Sequence, residues 1–256
     1  MKKFLKDIGI LGLACFSFLI TDNTIEVVKE KDSLMINLRN VAEDYKIAEI
    51  DGMVDDKYIK LGLNGLEVDI DKSYQKLKKI GYFNENLLVY KNIEPQISLK
   101  KNRNKIIKAN SKNEVSLIFK NPTDIDKIIK ILDQNDIKAT FFIDNTFYNN
   151  NLESIELLLS KENNIGFLND YKILKNKLKE INYYCYSNIV ENCNKDNQYS
   201  IEATKIVKSF SDLKDNIKGN ILEIKDQTYL DIYIKYILSR GYKIVSLDKF
   251  ISEEIK

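Results

Sequence analysis

Val115 to Asp144 reads VSLIFKNPTDIDKIIKILDQNDIKATFFID, and the fold is decided here. Val115 to Phe119 is a short apolar run, long enough for a buried strand. Pro122 cannot donate to a ladder and ends it. Thr123 is placed to cap a helix, with Asp126 as its partner three residues on. Ile125, Ile128, Ile129 and Leu132 then fall on one stripe of an amphipathic helix. Asn135 and Asp136 break that helix. Ala139 to Ile143 is a second apolar run, β-branched and aromatic. Because it does not alternate, it predicts a strand covered on both faces, as in a parallel sheet. The stretch is one βαβ unit, expected to cross over right-handed.

The rhythm continues downstream. Leu152, Ile155, Leu158 and Leu159 make a helix face, and Ile165 to Leu168 a strand. Leu174, Leu178 and Ile181 make another face, followed by a strand at Tyr183 to Tyr186. Asn188 to Ser200 reads as irregular. Ile206 and Val207 predict a short strand, and Asn220 to Ile224 a longer one. Leu230, Ile234, Ile237 and Leu238 predict a helix that ends at Gly241. Tyr242 to Ser246 is the last strand and Asp248 to Ile255 a closing helix. Strands alternating with helices of this size indicate a parallel α/β domain over residues 113–256. Periodicity alone leaves an open sheet and an irregular barrel both standing.

Upstream the text changes character. Lys2, Lys3 and Lys6 precede an apolar run from Ile8 to Ile20, the layout of a signal peptide or N-terminal membrane anchor over residues 1–22. So short a span needs help to cross a bilayer of about 30 Å. Cys15 sits in a poor lipidation context, with Gly12 where leucine is wanted. The alternative for this run is a buried strand or helix of a cytosolic protein; the lysines and the abrupt polar end favour export. Residues 23–44 read as a charged stalk, in which Ser33 to Leu38 is a candidate strand. Residues 45–99 read as a small α+β module. It has a strand at Ile47 to Ile50, a helix at Asp71 to Ile80 capped by Gly81, and a strand at Leu87 to Tyr90. Glu67, Asp69 and Asp71 alternate and would share one strand face, more plausibly solvated than cation-binding. Residues 100–112, KKNRNKIIKANSK, read as a basic linker.

The chain has 256 residues, 44% of them hydrophobic and 30% charged, with a net charge of +2. That balance gives no reason to expect a nucleic-acid partner. It also has no histidine at all. An imidazole base, an imidazole metal ligand and a histidine-based triad are therefore excluded over the whole sequence.

Ile137 to Ile143, IKATFFI, and Gly241 to Phe250, GYKIVSLDKF, resemble the polysaccharide deacetylases, the enzymes that N-deacetylate chitooligosaccharides and peptidoglycan. In that family the first strand ends T-F-D-D-G-P, the second reads IKATFFV, and the chain closes on a strand with L-x-H-D, a helix and GYKFVTLDEL. The likeness covers roughly residues 113 to 256. It implies an irregular (β/α) barrel, preceded here by the small module and the N-terminal hydrophobic segment. It also implies a metal-dependent hydrolase acting on a C–N bond, in which an Asp and two His hold a divalent ion that activates water.

The residues for that chemistry are missing. The two aspartates map to Lys120 and Asn121, the metal-binding histidines to about Leu168 and Lys172, the arginine strand to Tyr183 to Ser187, and the acid histidine to Lys225, beside Asp226. A lysine in place of an anionic ligand repels a dication at short range. No metal or other cofactor is expected. The reading is a catalytically inactive deacetylase-like protein of the cell envelope, exported and anchored or secreted, that binds wall glycan or scaffolds envelope proteins. The residues lining its degenerate groove would be Lys120, Asn121, Asp170, Lys225 and Asp226. The alternative is a hydrolase with a rebuilt, histidine-free site using carboxylates such as Asp144, Asp170 and Asp226. Cys185 and Cys193, eight apart in an exported chain, can close a disulfide or stand as two thiols; the disulfide is the favoured reading.

Overall fold

A computed structural model describes residues 29–168, 174, 176, 178, 184–187, 193 and 198–255. The predicted N-terminal hydrophobic segment, Asp170 and Lys172 lie outside them. Among the described residues no helix is long and apolar enough to cross a membrane. In chain order the strands are β1 (Met53–Asp55), β2 (Tyr58–Lys60), β3 (Gly65–Val68), β4 (Tyr90–Ile93), β5 (Ile106–Ala109), β6 (Glu114–Lys120), β7 (Thr140–Ile143), β8 (Asn164–Phe167), β9 (Tyr184–Tyr186), β10 (Tyr199–Ile201), β11 (Lys205–Val207), β12 (Ile221–Ile224) and β13 (Lys243–Ile244).

The chain forms two compact units, and they do not follow the boundaries drawn from the sequence. The smaller takes the chain up to Ala48 and then Gly65–Ile93; the larger takes Glu49–Asn64 and Glu94 onward.

In the smaller unit β3 and β4 pair antiparallel, with helices Ser33–Val41 and Ile70–Ile80. Ser33 to Leu38 is therefore helix rather than strand. Asp32 caps it by accepting from the Leu34 N–H at 2.8 Å, and Met35 and Leu38, three apart, are its buried face. This helix is part of a folded unit, so residues 23–44 are not simply a stalk. Leu38, Val68, Leu77 and Leu88 form the core. The predicted helix at 71–80 is present, and Gly81 closes it at φ 81°. Ile47 to Ile50 is not a strand; Ile47 makes an isolated bridge to Leu66. The three alternating carboxylates do not share a strand face, because β3 stops at Val68. Glu67 pairs with Lys91 at 2.9 Å, Asp69 caps the next helix beside Lys72, and Asp71 meets Lys29, so each has its own lysine.

The larger unit is built on an eleven-stranded sheet in the order β1-β2-β5-β10-β9-β8-β7-β6-β12-β11, with β13 also against β6. Every pairing is parallel except that of β1 with β2. The quoted stretch behaves as read: β6 and β7 pair parallel, and the helix Ile125–Gln134 between them buries Ile125, Ile128, Ile129 and Leu132. Asp124 rather than Thr123 is its cap, accepting from the Lys127 N–H at 3.2 Å.

The sheet curls until the end of β5 reaches the chain entering β12. Ala109 bridges Asn220 antiparallel, and the Asn110 N–H donates to the Gly219 carbonyl at 3.0 Å. The curled parallel sheet agrees in part with the barrel that the family resemblance implied, forming a half-barrel, and it has two cores. Leu117, Phe119, Phe141, Ile143, Leu222 and Ile224 face the outer helices. Ile107, Ile118, Phe142, Tyr184, Ile201 and Ile221 face inward, where Leu247, Phe250 and Ile251 of the closing helix join them. Burial on both faces accounts for the apolar runs without alternation. The inner core is tight: a Cβ on Gly166 would lie 2.4 Å from the Phe142 ring.

Residues 100–112 are not simply a linker, because they contain β5. Nor is Asn188 to Ser200 wholly irregular, since β10 begins at Tyr199. The closing helix spans only Leu247–Ile251 and the last strand only Lys243–Ile244.

Candidate functional site

The carboxyl ends of the parallel strands form the mouth of the barrel, where α/β folds collect ligand-binding groups. Strand alternation sends Ile118 and Lys120 of β6, Phe142 of β7, Tyr184 and Tyr186 of β9, and Ile221 and Glu223 of β12 to the inner side.

Four of these side chains plug the mouth. Glu223 is 3% exposed, and its carboxylate meets the Lys120 ammonium at 2.8 Å. The Tyr186 hydroxyl donates to the same carboxylate oxygen at 3.3 Å. The Lys120 ammonium lies 4.2 Å from the centre of the Tyr186 ring, and Phe142 meets that ring edge-on with centroids 5.4 Å apart. Burial disfavours the charge on Lys120, yet the hydrogen bond to Glu223, with Tyr186 beside it, leaves its pKa above the usual lysine value. Burial also raises the Tyr186 phenol. The sequence reading named Lys120 but missed Glu223. Its signal was available: a lone carboxylate at an inward position of an otherwise apolar strand needs a buried partner.

Asn121 has another role. It sits at φ 38°, a left-handed conformation that Asn tolerates. Its amide nitrogen donates to Asp144 at 2.7 Å, and its amide oxygen accepts the Asp144 N–H at 3.2 Å. Asp144 also caps the helix Asn145–Asn150 through the Phe147 N–H at 2.8 Å. The pair therefore fastens the end of β6 to the end of β7.

Lys225 and Asp226 are not joined to Lys120. Instead they line a separate groove of about 310 Å³ with Thr123, Asp124, Lys127, Ile128, Gln227 and Thr228. Asp226 accepts from the Thr228 N–H at 3.0 Å and the Tyr233 hydroxyl at 3.4 Å, and these contacts, the Thr228 backbone first, hold its carboxyl below its ordinary value. Of the carboxylates named for a rebuilt hydrolase, Asp144 and Asp226 are each engaged locally rather than with one another, and Asp170 lies outside the described residues.

A divalent metal does not fit these residues. The chain has no histidine, and an ammonium occupies the position where the family resemblance puts an anionic ligand. Among the described residues no group of three or more Cys, Asp and Glu is placed to hold an ion. Cys185 and Cys193 form a disulfide with Cα atoms 5.7 Å apart, beside Tyr184 and Tyr186 on β9.

No protein-family model matches the sequence. The uncharacterized protein YlxY of Bacillus subtilis is 29% identical over 150 residues, 56% of this chain. The chain spans about half the length of that curated relative, 47% of it. Among solved structures, wild-type BA3943 from Bacillus anthracis, described as a CE4 family pseudoenzyme, matches with a TM-score of 0.64 at 19% identity, over 88% of this chain and 97% of that one. A BA3943 mutant described as having restored enzymatic activity matches with a TM-score of 0.65, also at 19% identity, over 88% and 100%. The Bc1960 peptidoglycan N-acetylglucosamine deacetylase matches at 0.51 and 15% identity, over 61% and 98%. The chain has the fold of the CE4 carbohydrate esterases.

Proposed function

We propose that this protein is a catalytically inactive relative of the polysaccharide deacetylases that holds cell-envelope glycan without cleaving it. One observation carries the reading: the Lys120 ammonium, paired with buried Glu223 and covered by Tyr186, fills the strand-end position where a deacetylase would hold its metal and water. A lysine cannot polarise bound water as a dication does, and here its charge is already matched by a carboxylate. BA3943, described as a pseudoenzyme of this fold, supports the same reading.

A position at the cell surface belongs to the proposal. Its support is the lysine-rich start and apolar run of residues 1–22 and a disulfide that needs an oxidising compartment. The test uses the full chain with N-acetylated chitooligosaccharides and peptidoglycan, in the presence of zinc or cobalt. Binding to wall sacculi without acetate release and without stoichiometric metal is the expected result. Acetate release, or one tightly held ion per chain, overturns inactivity; absence of sacculus binding overturns the glycan role.

A further inference from the structure

The outer face of β2 and β5 gathers positive charge. Ile59, Leu61 and Ile107 belong to the inner core, so Tyr58 and Lys60 of β2 and Lys108 of β5, which alternate with them, lie on the opposite side. Residues 57–60 and 100–112 together carry eight lysines and arginines and no acid, in a chain whose net charge is only +2. The rest of the chain is therefore acidic on balance, and the positive charge is concentrated in these two neighbouring segments.

The geometry holds these cations together. The Lys108 ammonium lies 4.3 Å from the centre of the Tyr58 ring, and the Lys57 ammonium 5.1 Å from it, so one ring attracts two like charges. The Lys105 ammonium donates to the Asp56 carbonyl in the turn between β1 and β2. Arg103 lies 5.1 Å from the centre of the Tyr199 ring, at the start of β10, the other neighbour of β5. Among the described residues Lys60, Arg103, Lys105 and Lys108 make no ion pair. Three acids border the patch: Asp55, opposite Tyr58 on the edge strand β1, Asp56 in the turn, and Glu202 just after β10. Set against Lys57, Lys60, Arg103, Lys105 and Lys108, they leave the patch positive. Two lysines already resting on an aromatic ring have less side-chain freedom to lose when an anion arrives.

We infer that this face is a docking surface for a linear phosphodiester polymer of the cell envelope, with Lys57, Lys60, Lys105 and Lys108 taking successive phosphates. Lysines are point charges that hold a tetrahedral phosphate from any side, whereas planar carboxylates are better matched by the arginine fork. The bordering acids fix the shape of the partner. A flat anionic bilayer would press its headgroups against exposed Asp55 and Asp56, while a single narrow chain lies between these and Glu202. The inference rests on the cell-surface reading and adds a second envelope polymer, held away from the barrel mouth.

The experiment titrates the full chain with purified poly(glycerol phosphate) at several salt concentrations. Phosphatidylglycerol vesicles serve as the flat surface and inorganic phosphate as the bare anion. The polymer is expected to bind tightest and to weaken as salt is raised. Lys60→Gln with Lys108→Gln should lower its affinity by about tenfold and make the salt dependence shallower by about one unit of log–log slope for each lysine removed. Lys127→Gln with Lys225→Gln takes the same charge from the groove beside the barrel mouth and should leave the affinity nearly unchanged. Tyr58→Leu keeps every charge, so it should weaken binding at an unchanged slope. Equal losses in the two double variants would reduce the effect to overall charge and overturn the surface. Vesicles bound as tightly as the polymer overturn the narrow chain in favour of a membrane, and phosphate bound as tightly overturns it in favour of a simple anion site. No polymer binding, with sacculi freed of anionic polymer still bound, overturns this inference alone; failure of both overturns the cell-surface reading as well.

Discussion

Two adjacent residues, Lys120 and Asn121, stand where the family resemblance places a pair of aspartates, and each has its own physical logic. Glu223 is almost fully buried, and removal of its partner leaves an uncompensated charge there. Lys120→Ala is expected to lower stability by about 2 kcal/mol, less than the full penalty for breaking a buried pair because the lysine is partly exposed. Replacing both partners, Lys120→Met with Glu223→Leu, should recover most of that loss, since an apolar pair of similar size needs no counter-charge. Urea unfolding of Lys120→Met, Glu223→Leu and the double measures the coupling, and additive losses would mean the pair does not interact. Asn121→Asp is a second case. It would set a carboxylate against Asp144, where the amide now donates at 2.7 Å. Two such acids cannot both ionise cheaply, so one of them holds its proton above its unfolded pKa. The variant should then lose stability, relative to the parent, as pH rises from about 4 to neutrality, because the unfolded chain releases that proton first. A loss independent of pH would point to steric damage instead. The sequence signals that an inward Glu223 needs a buried partner, but not that the partner is Lys120, nor that Asn121 meets Asp144. The text shows that the aspartates are absent; it does not show that a glutamate one hundred residues away completes the lysine.

At the scale of elements, patterns local to one helix or strand could be read, and those depending on a distant partner could not. The helix Ile125–Gln134 and strands β6 and β7 follow from apolar spacing alone. By contrast β1, β2 and β5 are short and lie in polar text, and β1 and β2 join the sheet only through β5, which pairs with β10. Their placement depends on Gly52, where a Cβ would stand 2.8 Å from the carbonyl oxygens of Ile97 and Lys60. The helix Ser33–Val41 was misread as strand although Asp32 and the spacing of Met35 and Leu38 carried the signal. Asp32 is also the clearest acid-sensitive group. Its pKa falls from 3.8 to about 2, chiefly through the hydrogen bond from Lys78, with the Leu34 N–H and Tyr74 adding to it. A depressed carboxyl stabilises the fold above its unfolded pKa and loses that contribution as pH falls through the folded value. The smaller unit should therefore lose stability between about pH 4 and pH 2, and Asp32→Asn should flatten that part of the curve. Circular dichroism melts across this range report it, and an unchanged slope in the variant counts against the assignment. The disulfide acts on β9 in the same local way. A loop this short stabilises by about 2–3 kcal/mol in the chain-entropy model. Cys185→Ser with Cys193→Ser should lower the denaturation midpoint of the larger unit accordingly, as should a reducing agent with the parent chain.

For the larger unit as a whole, the decisive feature is how the sheet curls back toward itself, and a glycine lies at the seam. The Gly219 N–H donates to the Glu114 carbonyl at 2.8 Å, and its own carbonyl accepts the Asn110 N–H at 3.0 Å. Gly219 makes both contacts at φ 67°, and a Cβ there would stand 2.2 Å from the Asn110 carbonyl oxygen. Backbone cannot yield as a flexible side chain can. An alanine would meet the left-handed penalty of about 1–2 kcal/mol together with that collision, so Gly219→Ala should destabilise the barrel by about 2 kcal/mol or more. Gly81→Ala is the control, since that glycine is equally left-handed at φ 81° but has nothing within 4 Å of the added carbon. The backbone penalty is common to both, so the excess at Gly219 isolates the seam. Opening it should also disturb Thr204, whose N–H donates to Ile221 at 2.9 Å across the same gap, and through β12 the position of Glu223. Hydrogen exchange on the two variants separates local from global effects. Faster exchange at Asn110, Thr204 and the β12 amides in Gly219→Ala, with none in Gly81→Ala, is the outcome that makes closure the support of the plugged mouth; equal and uniform loss in both would reduce the seam to an ordinary turn.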